Sequence, residues 1–304
     1  MLLGGIEGGG TKFVCAVGDE SGRIHQWVRI PTIDPAHTLD AAITFFKKQE
    51  VLRNERLAAI GIGSFGPVDL DPASEHYGHI MRTPKEGWAF TDVVGPVQKA
   101  FPDLAVGFDT DVNAAALGEH RWGAAQDWDT FIYLTVGTGI GGGGMLAGRM
   151  LHGLLHPEMG HVLLPMREDD PLERGVCPFH PNCLEGLACG PAIQARWGAP
   201  GETLAPDHPA WDLEAHYLAL ALVDFMVTLS PQGVILGGSV MHQRQLFPLI
   251  RQKVRALLND YLVHPRLETL EDYIVPAGLG DDAGVLGSIA LGQAALDAER
   301  ERGR

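Results

Sequence analysis

Twice in this chain a short apolar strand runs into glycines and comes back as a second strand. The first copy is Leu2 to Ile6, then E-G-G-G-T-K, then Phe13 to Val17. The second is Thr130 to Val136, then G-T-G-I-G-G-G-G at 137–144, then Met145 to Arg149. After each start the pattern alternates between strand and helix, and few folds accept such a sequence. In the first half Ile24 to Ile30 extends the meander, Asp34 to Leu52 has helical spacing with Pro35 in its first turn, and Leu57 to Ile62 is a buried strand. A strand ending at Phe108 then leads into a helix that Asp111 caps and Gly123 stops. In the second half a helix over about 212–229 precedes the strand V-I-L at 234–236 and the turn G-G-S at 237–239. A helix over about 243–261, a strand at 273–276 and a closing helix from Gly284 follow. The pattern predicts an internally duplicated α/β protein of two domains with a cleft between them.

Length agrees, because 304 residues exceed the roughly 250 at which single cores stop growing. Residues 1–112, joined by the closing helix at 284–304, are the expected small domain, and 113–283 the large one, with an insert at about 157–190. The formal charge of −15 argues against nucleic acid as a partner, since such binding rests on Lys and Arg neutralising phosphates. No run of 18 apolar residues suggests a membrane span, and the first ten residues lack a signal-peptide pattern. Four cysteines, three of them within 177–189, are too few and too clustered for a secreted disulfide framework. A reducing, cytoplasmic setting and metal use are expected instead.

Three groups of residues carry chemistry. Cys177, His180 and Cys183 are spaced three apart, and His161 is the nearest upstream side chain able to complete a Cys₂His₂ zinc site. Such a site would anchor a loop bearing Glu158 and Glu185. The glycine turns at 8–11, 137–143 and 237–239 each end a strand, where backbone N–H groups can approach a phosphate. None matches the P-loop pattern, and the two large turns return into strands rather than opening a helix. Asp109 and Asp111 end a strand on the side where α/β sheets bind ligands, and Asp111, at the junction with the helix, is the better general base. A plain helix cap is the competing explanation of Asp111.

Together these residues resemble the ROK family of sugar kinases, and among them the bacterial fructokinases. The resemblance spans G-G-I-E-G-G-G-T-K at 4–12, G-I-G-S-F-G-P-V-D at 61–69, T-P-K-E-G-W at 83–88 and D-V-N-A-A-A-L-G-E at 111–119. It continues through E-M-G-H at 158–161, C-P-F-H-P-N-C-L-E-G at 177–186 and G-G-S at 237–239. It implies the actin-like ATPase (ribonuclease H-like) fold and ATP-dependent phosphorylation of D-fructose at its 6-hydroxyl, with another hexose as the alternative acceptor. Asp111 would be the base. Gly9, Gly10, Thr11, Lys12, Thr138 and Gly139 would hold ATP phosphates, with Mg²⁺, while Gly238 and Ser239 border the nucleoside. Glu158, His161 and Glu185 would surround the sugar, and His161, Cys177, His180 and Cys183 would hold structural zinc. A homodimer is the implied assembly. A sugar-responsive repressor, known within the same family, is disfavoured because the first phosphate strand begins at Leu2 and the chain is acidic. Three positions depart from the family pattern: Glu7 stands where the wider fold has Asp, Thr110 where ROK glucokinases have Asn, and Cys189 where Ser is frequent.

Overall fold

The computed structural model describes residues 1–303. Its first unit is built from residues 1–126, 150–156 and 282–303, and its second from 127–149 and 157–281. In the first lie β1 (Leu2–Gly8), β2 (Lys12–Gly18), β3 (Ile24–Pro31), α1 (Pro35–Arg53) and β4 (Leu57–Ser64). A small antiparallel pair, β5 (His79–Ile80) and β6 (Thr91–Asp92), precedes α2 (Gly95–Ala100), β7 (Ala105–Thr110) and α3 (Asp111–Trp122). Then come β8 (Phe131–Val136), β9 (Ile140–Leu146), β10 (Arg149–Met150), α4 (Leu184–Ala188), α5 (Gly190–Trp197) and α6 (Ala210–Leu229). The chain closes with β11 (Val234–Gly237), α7 (Leu246–Leu258), α8 (Pro265–Glu268), β12 (Ile274–Pro276) and α9 (Ala283–Arg302).

The duplication is visible in the sheets. One runs β3-β2-β1-β4-β7 and the other β10-β9-β8-β11-β12. In each, the opening hairpin is antiparallel and the next two strands join in parallel.

The alternation of small and large residues along β1, β4 and β7 explains how helices cover the first sheet. Ile6, Ile60 and Ile62 share a core with Leu39 and Phe46 of α1 on one face. The other face presents Gly5, Gly61 and Gly107, and a Cβ at any of them would strike the backbone of α9. This glycine floor lets α9 lie directly on the sheet, burying Val285, Ile289 and Ala290. Helix α3 packs on α9 equally closely, since a Cβ on Gly287 would fall onto the Ala114 carbonyl. That contact keeps α3 in the first unit, whereas the sequence division placed residues 113–122 with the second.

Two local expectations are corrected. The glycines at 141–144 belong to β9 rather than to the turn, paired from Thr135↔Gly141 to Ile132↔Gly144. Their bare backbone admits close cover: a Cβ at Gly142 would meet Met159 at 2.7 Å. After Gly238 the chain makes a 3₁₀ turn over 239–242, and α7 starts at Leu246 rather than near 243.

Candidate functional site

In the first unit the site grows from one row of residues. Register pairs Glu7 with Gly63 and Gly63 with Asp109, so the three share a face at the C-terminal ends of adjacent strands. Gly63 has no side chain because the start of α3 lies over it: a Cβ there would come within 2.7 Å of the Ala114 Cβ and 3.3 Å of the Asp111 Cα. Asp111 therefore stands above the gap between two carboxylates. Glu7, the last residue but one of β1, lies against Gly284 in the first turn of α9, where a helix N-terminus favours an anion.

The cap of α3 is Thr110, not Asp111. Thr110 has extended backbone, and its hydroxyl oxygen accepts the Asn113 N–H at 3.1 Å. Asp111 is the first helical residue, and its carboxylate accepts the Val112 N–H at 2.9 Å. Asp109 is buried and accepts from Thr110 N–H at 2.7 Å and Asn113 Nδ2 at 2.8 Å. The nearby hairpin turn is open, with Gly10, Thr11 and Lys12 exposed and Gly9 N–H donating to the Lys12 carbonyl.

In the second unit the turn at 137–139 is tied down on both sides. Gly137 N–H donates to the Gly139 carbonyl, and the Gly137 carbonyl accepts Gly190 N–H at 2.7 Å. Glu185, in the first turn of α4, accepts the Ile140 N–H at 2.9 Å. A cavity of about 440 Å³ opens beside this turn, lined by Thr138, Gln194, Glu202, Trp211, Ser239 and Gln243 among others. Thr138 and Ser239 were predicted; Gln194, Glu202, Trp211 and Gln243 were not. Gly201–Thr203 form a short 3₁₀ turn with no periodicity, so nothing in the sequence flagged them.

The insert gathers the four proposed ligands. Donor atoms of His161, Cys177, His180 and Cys183 all lie within 4.8 Å of one another. Cys177 Sγ is 4.0 Å from His161 Nδ1 and 3.8 Å from His180 Nδ1, and Cys183 Sγ is 3.6 Å from His161 Nδ1. A tetrahedral zinc with bonds of about 2.0–2.3 Å spaces its ligands by roughly 3.3–3.8 Å, so the cluster fits with small adjustment. Burial pushes the Cys183 thiol up to about 11, only partly offset by the Gly186 N–H, so a cation would be what holds it as thiolate. The insert is itself ordered by backbone pairing of Leu163 with Cys183 and of Leu164 N–H with the Asn182 carbonyl.

Beside the cluster, His161 N–H donates to the Glu158 carbonyl. Loss of water raises the Glu158 carboxyl above its usual range, with His161 opposing and Glu185 adding. The structure thus brings Glu158, His161 and Glu185 into one electrostatic neighbourhood. Cys189 is packed at the junction of α4 and α5, burial pushing its thiol up to about 12, as a small core residue rather than a ligand.

The sequence profile of the ROK family matches residues 3–295. A fructokinase of Pediococcus pentosaceus is 45% identical over 97% of this chain and 99% of its own. A fructokinase of Streptococcus mutans is 43% identical over 95% and 97%. Among solved structures, a ROK family glucokinase from Streptomyces griseus, in complex with glucose and AMPPNP, superposes with a TM-score of 0.78 at 25% identity, covering 97% of this chain and 100% of that one.

Proposed function

Because this chain belongs to the ROK family, we propose that it transfers the terminal phosphoryl group of ATP to the 6-hydroxyl of D-fructose. The carrying observation is the likeness to fructokinases at 43–45% identity over nearly the whole of both chains. The residues drawn from the sequence fit that chemistry. Phosphoryl transfer asks for positioning and charge stabilisation more than for covalent participation. With Gly9 closing the turn on the Lys12 carbonyl, Gly10, Thr11 and Lys12 offer amides, a hydroxyl and an ammonium to phosphates, and Thr138 and Gly139 offer a neutral cradle. The cavity bordered by Ser239 takes the nucleoside, Gly238 forming the turn behind it.

Mg²⁺ accompanies ATP in such kinases and neutralises charge developing on the phosphates. Glu7 would supply a hard oxygen donor that suits it in the first unit. Asp111 orients the 6-hydroxyl and accepts its proton. Glu158, His161 and Glu185 hold the sugar, and the raised carboxyl of Glu158 suits a group that exchanges hydrogen bonds with hydroxyls. Zn²⁺, held by His161, Cys177, His180 and Cys183, would be structural, fixing the segments that carry both glutamates.

No helix among the described residues is long and apolar enough to cross a membrane. A cytoplasmic homodimer of two-domain chains, with α3 in the first domain, completes the reading. An ADP-release assay over a panel of hexoses tests it: fructose should give the highest kcat/KM. A higher value for glucose or N-acetylmannosamine would overturn the substrate assignment.

A further inference from the structure

Residues 150–156 lie in the first unit although the strand before them belongs to the second sheet. Two histidines hold them there. His156, buried, accepts the Val68 N–H on Nε2 at 3.0 Å, which requires that nitrogen to be unprotonated. His152 places Nε2 at 2.8 Å from Asp109 Oδ2, its own side chain 42% exposed and that of Asp109 4%. The other oxygen of Asp109 receives Thr110 N–H and Asn113 Nδ2, the backbone and side chain that shape the first turn of α3. Asp109 is thus a bridge, with His152 on one oxygen and the peptide carrying Asp111 on the other.

We propose that His152 is a positioning residue for phosphoryl transfer, fixing the Asp111 carboxylate through Asp109. The proposal rests on the reading of Asp111 as the base. Its physical need is plain from the row described above. Glu7 and Asp109 stand one strand either side of Gly63, so they are about 10 Å apart at the backbone with Asp111 over the gap. Three carboxylates this close repel, and a buried one among them demands a donor or a cation. His152 supplies it from the solvent side. It does not touch the reacting atoms, so its role is indirect.

The groups facing this bridge are Glu7 on β1, Asp111 on α3 and Tyr77, whose phenol is raised by burial and then by Asp109. The hydrogen bond to Asp109 raises His152 above the ordinary imidazole range, burial opposing. A raised base is charged below its folded pKa and loses that charge as pH climbs through it. Neutral His152 still donates Nε2–H, so the bond persists at high pH while its charge assistance disappears.

His152→Ala and His152→Gln in the full chain test this. His152→Ala should lose about tenfold in kcat with KM for ATP unchanged, the scale of one charge-assisted hydrogen bond. His152→Gln keeps a donor without the charge. It should trail the wild type by about fivefold near pH 6 and approach it near pH 9, the margin between charged and neutral donors. Imidazole in the buffer should restore part of the His152→Ala rate, because the site is half-open. Amide hydrogen exchange at residues 111–113 should speed up in His152→Ala. Unchanged exchange with unchanged kcat would overturn the proposal, as would Ala and Gln variants that are equally slow at every pH. Exchange is read without turnover. Faster exchange in a protein that never phosphorylates a sugar would sink the kinase reading, whereas unaltered exchange in an active kinase would sink the role of His152.

Discussion

The two sheets share one strand order, yet the ends of their strands are chemically opposite. At the end of the first, Glu7, Asp109 and Asp111 cluster around Gly63. At the matching place in the second, Thr135 pairs with Gly237, and β12 ends at Pro276. One repeat presents carboxylates suited to a proton and a metal ion, and the other presents a hydroxyl and bare amides beside a cavity. Duplication fixed where a site can form, and on the proposed reading a few side chains divide the labour, with proton transfer in the first unit and the nucleoside in the second. The second unit also holds a buried ion pair away from that cavity. Asp170 and Arg196 are buried together, joined by Nε–Oδ1 at 2.8 Å, with Tyr217 donating its hydroxyl to Asp170 at 2.6 Å.

Four substitutions would break or sharpen this division. Asp111→Asn should lower kcat by at least about 10²-fold, the lower range for losing a general base. Its melting temperature should change little, since Thr110 caps the helix; near-normal turnover would reduce Asp111 to a structural residue. Asp170→Ala should leave Arg196 buried without its partner and cost about 3–5 kcal/mol of stability, measured by chemical denaturation. Burial alone would raise the Asp170 carboxyl, but Arg196 and Tyr217 outweigh it and hold it below the usual carboxylate range. The stability this pair contributes is therefore present above about pH 4 and lost as pH falls through the depressed value. A loss of stability on raising the pH from 5 to 7 would contradict that sign.

Cys183→Ala, or chelation, should lower the melting temperature moderately and weaken fructose binding more than ATP binding. The proposed zinc ligand lies two residues from Glu185, while the cavity proposed for the nucleoside is lined by other elements. Metal analysis should find about one zinc per chain, and a fully active, zinc-free protein would refute the role of the cluster. The smallest effect is expected from Thr110→Val: about 1 kcal/mol of stability for the lost cap, with kcat within a few fold of wild type.

Much of this was legible in the sequence because it rests on local patterns. Short apolar runs at 2–6 and 57–62 marked strands, Pro35 after Asp34 marked the start of α1, and the spacing of Cys177, His180 and Cys183 marked a proposed ligand set that the fold brings together with His161. Residues whose role depends on register were not legible. Glu7, Gly63 and Asp109 are far apart in sequence and meet only when three strands align. The cap was assigned to Asp111 because Asp and Thr both cap well, and only backbone angles separate them. The glycines at 141–144 were read as turn because glycine signals turns and close-packed strands alike, and Met159, which needs the space, lies some fifteen residues away in sequence. Gln194 and Trp211 come from separate helices and Gln243 from the connection between the 3₁₀ turn and α7, so they share no local signature.

The division of labour between the repeats is tested most directly by titrating Asp111→Asn with AMPPNP and with fructose by calorimetry. Both ligands should bind with wild-type affinity, the nucleotide unchanged or tighter because a negative charge has gone, in a protein whose turnover has collapsed. Nucleotide affinity that falls by as much as kcat would place Asp111 in the binding machinery and contradict the account.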